Sequence, residues 1–141
     1  MSSADAGPGP DARDAPTIHS IDATLVVVPM RRPLGTSASV VTEAPLVLID
    51  LQTEDGITGR AYVFCYLESA GHAAIALLRE ANAALAGAAA SPAAVRRVLE
   101  ARFKLLGVRG LVSAVLAGVD VACWDALAIA AGLPLAARPC S

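Results

Sequence analysis

The sequence has few of the side chains that carry most enzyme chemistry. Its 141 residues include two histidines, a single lysine, three cysteines and 4% aromatic residues. It contains no G-x-G-x-x-G, G-x-S-x-G, P-loop or H-E-x-x-H motif, and the lone Lys104 excludes a Lys-x-Lys pair. The sequence therefore predicts no complete active site, and we expect neither a catalytic residue nor a metal ligand in this chain.

The charge pattern is weak as well. A net charge of −2 indicates no basic surface for nucleic acid and no polybasic anchor for a membrane. The longest mainly apolar run, Leu111–Val119, is shorter than the roughly 20 residues that span a bilayer. An odd number of cysteines without C-x-x-C favours neither a disulfide framework nor a zinc ribbon. We expect a soluble, cytoplasmic protein with small-molecule or protein partners.

The length allows one domain with a core but no barrel of about 250 residues. Residues 1–16 are rich in Ser, Ala, Gly, Pro and Asp and lack an apolar signal segment, which predicts a disordered leader. The segment Ala44–Tyr66 is typical of a β-hairpin, with Asp55-Gly56 as its turn. Its first strand is apolar on both sides, so we expect both faces to be covered.

The segment before this hairpin predicts another strand and a long connection. Thr17–Val28 alternates in polarity, and Pro29 is expected to end the strand because it has no N–H to donate. Met30–Glu43 is then predicted to form a long loop. This loop could be a lid over a substrate or a surface loop without a function, and the sequence favours neither alternative.

After the hairpin the apolar period changes from two to about 3.6 residues, which indicates helices. Ser69 is expected to cap a helix over Ala70–Leu85, Pro92 to open a second, and Leu111–Ala131 to form a third. The predicted fold class is α+β, a three-stranded antiparallel β-meander followed by a bundle of three or four helices.

Two groups of side chains have both a possible functional and a possible structural role. Asp120 and Asp125 lie on the apolar third helix, where we favour bonds to backbone or Arg groups over metal ligation. Tyr62, Phe64 and Tyr66 alternate along a strand, a row that is normally core, although Tyr66 at the strand exit could reach a neighbouring site.

The order of these elements, together with several motifs, resembles a known family. The motifs are A-P-L-V-L-I-D-L, G-R-A-Y-V-F-C-Y, R-F-K-L-L-G-V-R-G-L and G-V-D-V-A-C-W-D-A-L followed by Pro134-Leu135. They are similar to the N-terminal capping domain of the enolase superfamily, in the mandelate racemase and muconate lactonizing enzyme group, and most of all to mandelate racemase. The resemblance covers residues 17–135.

The resemblance implies a role in substrate specificity. Complete family enzymes bind Mg²⁺ in a C-terminal barrel and remove the proton α to a carboxylate, as racemases or acid-sugar dehydratases, while the cap contacts the distal part of the substrate. The residues that correspond to the family's substrate-binding positions are Leu34, Thr36, Val41, Phe64 and Tyr66. Arg31 and Arg32 depart from the racemase pattern, which would allow a more acidic or polar substrate.

The end of the chain also departs from the family pattern. Residues 136–141 form a short tail where the family continues into its barrel. We therefore expect this chain to be inactive alone, with a carboxylic acid as substrate of the complete enzyme, and it could form a homo-oligomer. The alternative is a stand-alone, non-catalytic domain that binds a protein partner through the surface that a barrel would cover.

Overall fold

The structure, a computed structural model, describes residues 15–137. An antiparallel sheet with strand order β1-β2-β3 precedes three α-helices and a short 3-10 turn, which confirms the predicted α+β class. The leader predicted for residues 1–16 and the tail predicted for residues 136–141 lie almost entirely outside the described residues. The elements are β1 Ile18–Gly35, β2 Val40–Thr53, β3 Thr58–Phe64, α1 Glu68–Leu85, α2 Pro92–Arg102, α3 Leu111–Ala130 and the 3-10 turn Leu135–Ala137.

The turn between β2 and β3 lies where the sequence predicts it. Gly56 has a φ of +80°, which a glycine adopts without strain, and its N–H donates to the carbonyl of Thr53 at 3.0 Å. The Thr53 hydroxyl, although buried, accepts from the N–H of Ile57 at 3.1 Å and lies 3.2 Å from its carbonyl. The hairpin is thus closed by backbone and side-chain bonds together.

The helices cover one face of the sheet and leave the other open within the described residues. Val47, Ile49 and Leu51 of β2 are almost completely buried, whereas Leu48, between them, is 43% exposed. The prediction that both faces of β2 are covered is therefore wrong for this part of the chain. Tyr62 pairs with Leu48 on the open face and is 67% exposed, so the aromatic row is not core at this position.

The strand that was expected to end at Pro29 continues, and this prediction is wrong. Pro29 pairs with Glu43 and Leu34 pairs with Val41, so the four residues 30–33 of β1 face only Thr42. Because β1 is an edge strand and the ladder bulges here, the missing N–H of proline is tolerated. Most of the predicted loop is in fact a projecting two-stranded segment, residues 28–44, which we call the ribbon.

The helix ends follow the sequence at most positions. Ser91 and Pro92 begin α2, and glycines with positive φ follow α1 and α3 at Gly87 and Gly132. The cap predicted at Ser69 is wrong, because α1 begins at Glu68 after Leu67 and no side chain caps it. The turn between β3 and α1 is short, so the helix begins two residues before its predicted start.

The helix α3 lies directly on the inner face of the sheet. A Cβ on Gly59 of β3 would lie 2.1 Å from the carbonyl oxygen of Ala122, and a Cβ on Gly118 of α3 would lie 2.7 Å from a methyl group of Ile49. Glycine on both surfaces therefore permits a contact that any side chain would prevent. This contact buries the apolar residues on one side of α3 against the sheet.

The same helix has the length and apolar composition of a membrane span, contrary to what the shorter run Leu111–Val119 suggested. However, 56% of its most apolar stretch is buried inside the domain, as in the core helix of a soluble protein. We therefore interpret its hydrophobicity as a consequence of packing.

Both edges of the sheet are held by helix side chains. The N–H of Ile21 on β1 donates to Oδ1 of Asn82 on α1 at 2.8 Å, and the N–H of Arg60 on β3 donates to Oδ2 of Asp125 on α3 at 2.8 Å. Edge N–H groups without a strand partner are thereby satisfied. The backbone bond that we favoured for these carboxylates is observed at Asp125.

We predict that Gly59→Ala lowers the free energy of unfolding by about 3 kcal/mol, because the carbonyl of Ala122 is backbone and cannot rotate away. Gly118→Ala should lower it by about 1–2 kcal/mol, since the methyl groups that it meets can move. Urea unfolding of the full chain measures both changes.

Gly35→Ala is the control, because nothing lies within 4 Å of the new Cβ. This substitution should change the free energy of unfolding by less than about 0.5 kcal/mol. Equal effects at Gly59 and Gly35 would contradict this packing.

Candidate functional site

An open groove lies at the root of the ribbon, where β2 passes the start of α1. Its volume is about 260 Å³. It is lined by Val27 of β1, Ser39 of the ribbon turn, residues 40–43 and Pro45 of β2, and residues 66–68 at the β3–α1 junction. Its lining is polar and apolar in about equal parts, and Val40, Leu67 and Tyr66 are each more than 60% exposed. We call this feature the ribbon-root groove.

The ribbon keeps its shape through its own turn. The N–H of Thr36 donates to the carbonyl of Ser39 at 2.9 Å, and the Thr36 hydroxyl donates to the same carbonyl at 2.7 Å. That hydroxyl also accepts from the N–H of Ser39 at 3.0 Å. Next to this turn, Gly35 pairs with Val40, the first residue of β2. This pairing fixes the position of the strand that borders the groove.

Tyr66 has an unusual backbone conformation. Its φ is +59°, and it is the only non-glycine residue with a positive φ in the described part of the chain. The N–H of Leu67 donates to the carbonyl of Cys65 at 2.6 Å, which closes a three-residue turn around Tyr66. A tyrosine held in this region is disfavoured by roughly 1–3 kcal/mol and persists only where the surroundings impose it.

The Tyr66 ring is also held by a second aromatic side chain. It meets the ring of Phe64 edge to face, with the ring centroids 4.5 Å apart and the planes at 78°. Such an aromatic pair is stabilising and fixes the direction of both rings. Because Tyr66 remains 61% exposed, this arrangement presents an oriented ring to the groove and does not bury it.

The structure brings together only some of the residues carried over from the family. Val41 and Tyr66 line the groove, and Phe64 supports the Tyr66 ring from beside it. Leu34 pairs with Val41 across the ribbon but does not line the groove, and the Thr36 hydroxyl is engaged in the ribbon turn. The assignment of all five as substrate-binding residues stays a prediction.

Sequence reasoning missed the two carboxylates of the groove, Glu43 and Glu68. Glu68 is the first residue of α1, and its Oε1 lies 3.8 Å from Nε2 of His72 one turn later. Neither residue belongs to a motif, and both line the groove only because the ribbon passes the start of the helix. The only feature of the sequence that could have indicated this site was Glu68, an acidic residue in the first turn of a predicted helix. Acidic residues are common at this position because they interact favourably with the helix dipole, so Glu68 alone does not predict a site.

A second, smaller cleft of about 150 Å³ lies between α2 and α3. It contains Asp120, whose pKa is raised by partial burial and lowered to a smaller extent by the charge of Arg96. Arg96 is itself paired with Glu100 at 2.8 Å. The cleft therefore contains a partly buried carboxylate, Asp120, beside Arg96, which already forms an ion pair with Glu100. We interpret it as a gap in the packing of two helices and not as a binding site.

The described residues do not form a metal centre. Across residues 15–137, no three His, Cys, Asp or Glu side chains gather closely enough to hold an ion. Asp125, the strongest candidate by position, accepts the Arg60 N–H. Burial raises the pKa of the Cys123 thiol to about 12, so this buried sulfur stays protonated at neutral pH.

Comparison with known proteins agrees with this architecture. The family described as "Mandelate racemase / muconate lactonizing enzyme, N-terminal domain" matches residues 20–137. An enolase from Bradyrhizobium complexed with magnesium and mandelic acid is 39% identical, with a TM-score of 0.78 over 86% of this chain and 34% of that chain. An enolase from alpha proteobacterium bal199 with bound Mg is 34% identical, with a TM-score of 0.79 over 84% and 33%.

A third structure resembles the chain at lower identity. L-Talarate dehydratase from Polaromonas sp. JS666, complexed with Mg and L-glucarate, is 25% identical, with a TM-score of 0.76 over 85% of this chain and 34% of that chain. The 141 residues thus span about a third of the length of each of these proteins.

We predict that Tyr66→Gly leaves the chain about 1 kcal/mol more stable than Tyr66→Ala, because glycine adopts a positive φ without strain. Both variants lose the ring, so their difference reports the backbone alone. Urea unfolding measures the two free energies. The same pair of substitutions at Tyr62, an exposed tyrosine in regular strand, should show the ordinary order, with alanine more stable than glycine. Alanine as the more stable residue at both positions would show that Tyr66 is not strained.

Proposed function

Since the chain belongs to the family of mandelate racemase and muconate lactonizing enzyme N-terminal domains, we propose that it closes the substrate site of a magnesium-dependent enzyme. The enzyme would remove the proton α to a carboxylate, as a racemase or an acid-sugar dehydratase. In this proposal the chain supplies specificity, and the chemistry belongs to the part of such enzymes beyond the third that this chain matches.

The observation that carries the proposal is the ribbon-root groove with Tyr66 at its edge. A concave surface with both polar and apolar side chains and one oriented aromatic ring suits the distal end of a small organic acid. Strained backbone at such a position is expected where a side chain must point at a ligand. The complex of the Bradyrhizobium protein with mandelic acid, a ring-bearing acid, supports a ring as the distal group.

The residues of the chain would act by binding and by excluding water. Val41 and Leu67 offer apolar surface to a distal group, and the ribbon would shield the reacting end of the substrate from solvent. The family's magnesium does not fit the described residues, which gather no set of three candidate ligands. The metal would therefore be held elsewhere in the complete enzyme.

The open face of the sheet favours a second candidate function. Leu48 and Tyr62 lie side by side there, 43% and 67% exposed, and such apolar surface is typical of a contact with protein. If the chain acts alone as an interaction domain or homo-oligomer, light scattering on the purified chain should show a defined dimer or larger species. A monodisperse monomer would count against this candidate.

We expect Tyr66→Ala to weaken the binding of mandelic acid about tenfold in a chimera of residues 17–135 with the remaining part of the Bradyrhizobium protein. Calorimetry measures this affinity and, separately, that for Mg²⁺, which should not change because no metal ligand is altered. Tyr62→Ala is the matched control and should leave both affinities unchanged. Unchanged mandelic acid binding in the Tyr66 variant, or an equal loss of Mg²⁺ affinity, would contradict the assignment.

A further inference from the structure

The open face of the sheet has a regular gradient of side-chain size. Strand pairing places residues of β1, β2 and β3 side by side in rows, and every second row shares the face of Leu48 and Tyr62. Three successive rows of this face are Asp22-Asp50-Arg60, Thr24-Leu48-Tyr62 and Val26-Leu46-Phe64. In every row a small side chain lies on β1 and the largest lies on β3. The open face is therefore thin along β1 and thick along β3.

This face is free of the contacts described so far. The helices pack on the other face, so the open face has no cover among residues 15–137. Leu48 and Tyr62 are 43% and 67% exposed, and Val28, one row further along β1, is 46% exposed. None of the residues in the three rows lines the ribbon-root groove. A partner could thus bind the open face and leave the groove accessible.

The charges of the first row are incompletely paired. Oδ2 of Asp22 accepts from Gln52 at 2.9 Å and from Ser20 at 3.3 Å. No Lys, Arg or His side chain forms an ion pair with Asp22 in the part of the chain that the structure describes. Nε of Arg60 lies 3.3 Å from Oδ1 of Asp50, and both side chains are more than half exposed. Because a guanidinium group has five N–H donors, Arg60 can bind a second carboxylate.

A second copy of the chain would complement both the size gradient and the charges. A two-fold axis parallel to the strands stacks each row on the same row of the other copy in reverse order, so β1 lies over β3. Tyr62 then faces Thr24, Phe64 faces Val26, and Leu48 faces its own equivalent. Because a large side chain meets a small one at both edges, the spacing of about 10 Å between stacked sheets is evenly filled.

We propose that the open face is the interface of a homodimer, in which two sheets stack about this axis and Arg60 of each copy binds Asp22 of the other. The inference rests on the second candidate function and identifies its partner as another copy of this chain. A two-fold axis perpendicular to the strands would instead place the charged row against the Val26-Leu46-Phe64 row. Charges buried against apolar side chains are costly, so the order of the rows selects the first arrangement.

The apolar rows supply the affinity of this dimer, and the charged row sets its register. In the dimer the charged rows contain four carboxylates and two guanidinium groups, so their net electrostatic gain is small. The three rows and Val28 extend about 20 Å along the strands and about 15 Å across them, which gives an area at the low end for specific interfaces. We therefore expect a weak dimer, with a Kd on the order of 10–100 µM.

Charge reversal on the two sides of the face tests this arrangement in the full chain. Asp22→Arg and Arg60→Glu should each raise the Kd of the dimer at least about tenfold, because like charges then face each other twice in each dimer. An equimolar mixture of the two variants should restore a Kd within about threefold of the original, because every reversed charge faces an opposite one in the mixed dimer. Sedimentation equilibrium over about 5–500 µM protein measures these constants.

The control reverses the same charges at exposed positions away from the face. Asp55→Arg in the hairpin turn and Arg97→Glu on α2, alone or mixed, should leave the Kd within about twofold of the original. This pair excludes a general attraction between chains of different net charge. Far-UV circular dichroism confirms that each variant is folded.

The outcomes separate this inference from the proposed functions. A dimer that neither Asp22→Arg nor Arg60→Glu weakens, or a mixture that associates no better than the single variants, would overturn the stacked arrangement and leave the homo-oligomer candidate standing. A monomer at every concentration would overturn both. None of these results bears on the capping of a substrate site, which the mandelic acid affinity of the Tyr66→Ala chimera tests separately.

Discussion

The close contact between α3 and the inner face of the sheet is the constraint on which the rest of this structure depends. It exists because Gly59 and Gly118 have no side chains at the places where the helix and the strands approach each other. Once α3 lies at this distance, Asp125 reaches the edge of β3 and accepts the N–H of Arg60. One helix therefore packs on the apolar face of the sheet and also protects its edge.

The position of the candidate site follows from that packing. With β3 fixed against α3, the chain must turn at Tyr66 to begin α1, and the three-residue turn leaves the tyrosine with a positive φ. α1 in turn is tied to β1 through Asn82 and the N–H of Ile21. The start of α1 and the root of the ribbon are thus held side by side, and the groove between them is a product of the whole fold.

The sequence predicted what depends on local physics. The turn at Asp55-Gly56, the helix starts after Ser91 and near Leu111, and the helix ends before Gly87 and Gly132 all follow from residues that adopt special backbone conformations. The resemblance to the family added Val41 and Tyr66, which both line the groove.

The errors share a physical cause, which is that neighbouring elements overrode a local signal. Pro29 would end an isolated strand, but a bulge in an edge strand accommodates it. The alternation of Leu48 with buried neighbours could not show that one face of the sheet stays open. Glu43 and Glu68 are 25 positions apart and carry no shared pattern, so only the folded chain reveals that they line one groove.

The most direct test of this account is the crystal structure of the chimera with magnesium and mandelic acid bound. We predict that the ring of the acid contacts Val41 and Tyr66, with carbon atoms within about 4.5 Å of both side chains. A mandelic acid ring that lies outside the groove, with Tyr66 facing solvent, would contradict the claim that this domain recognises the distal end of the substrate.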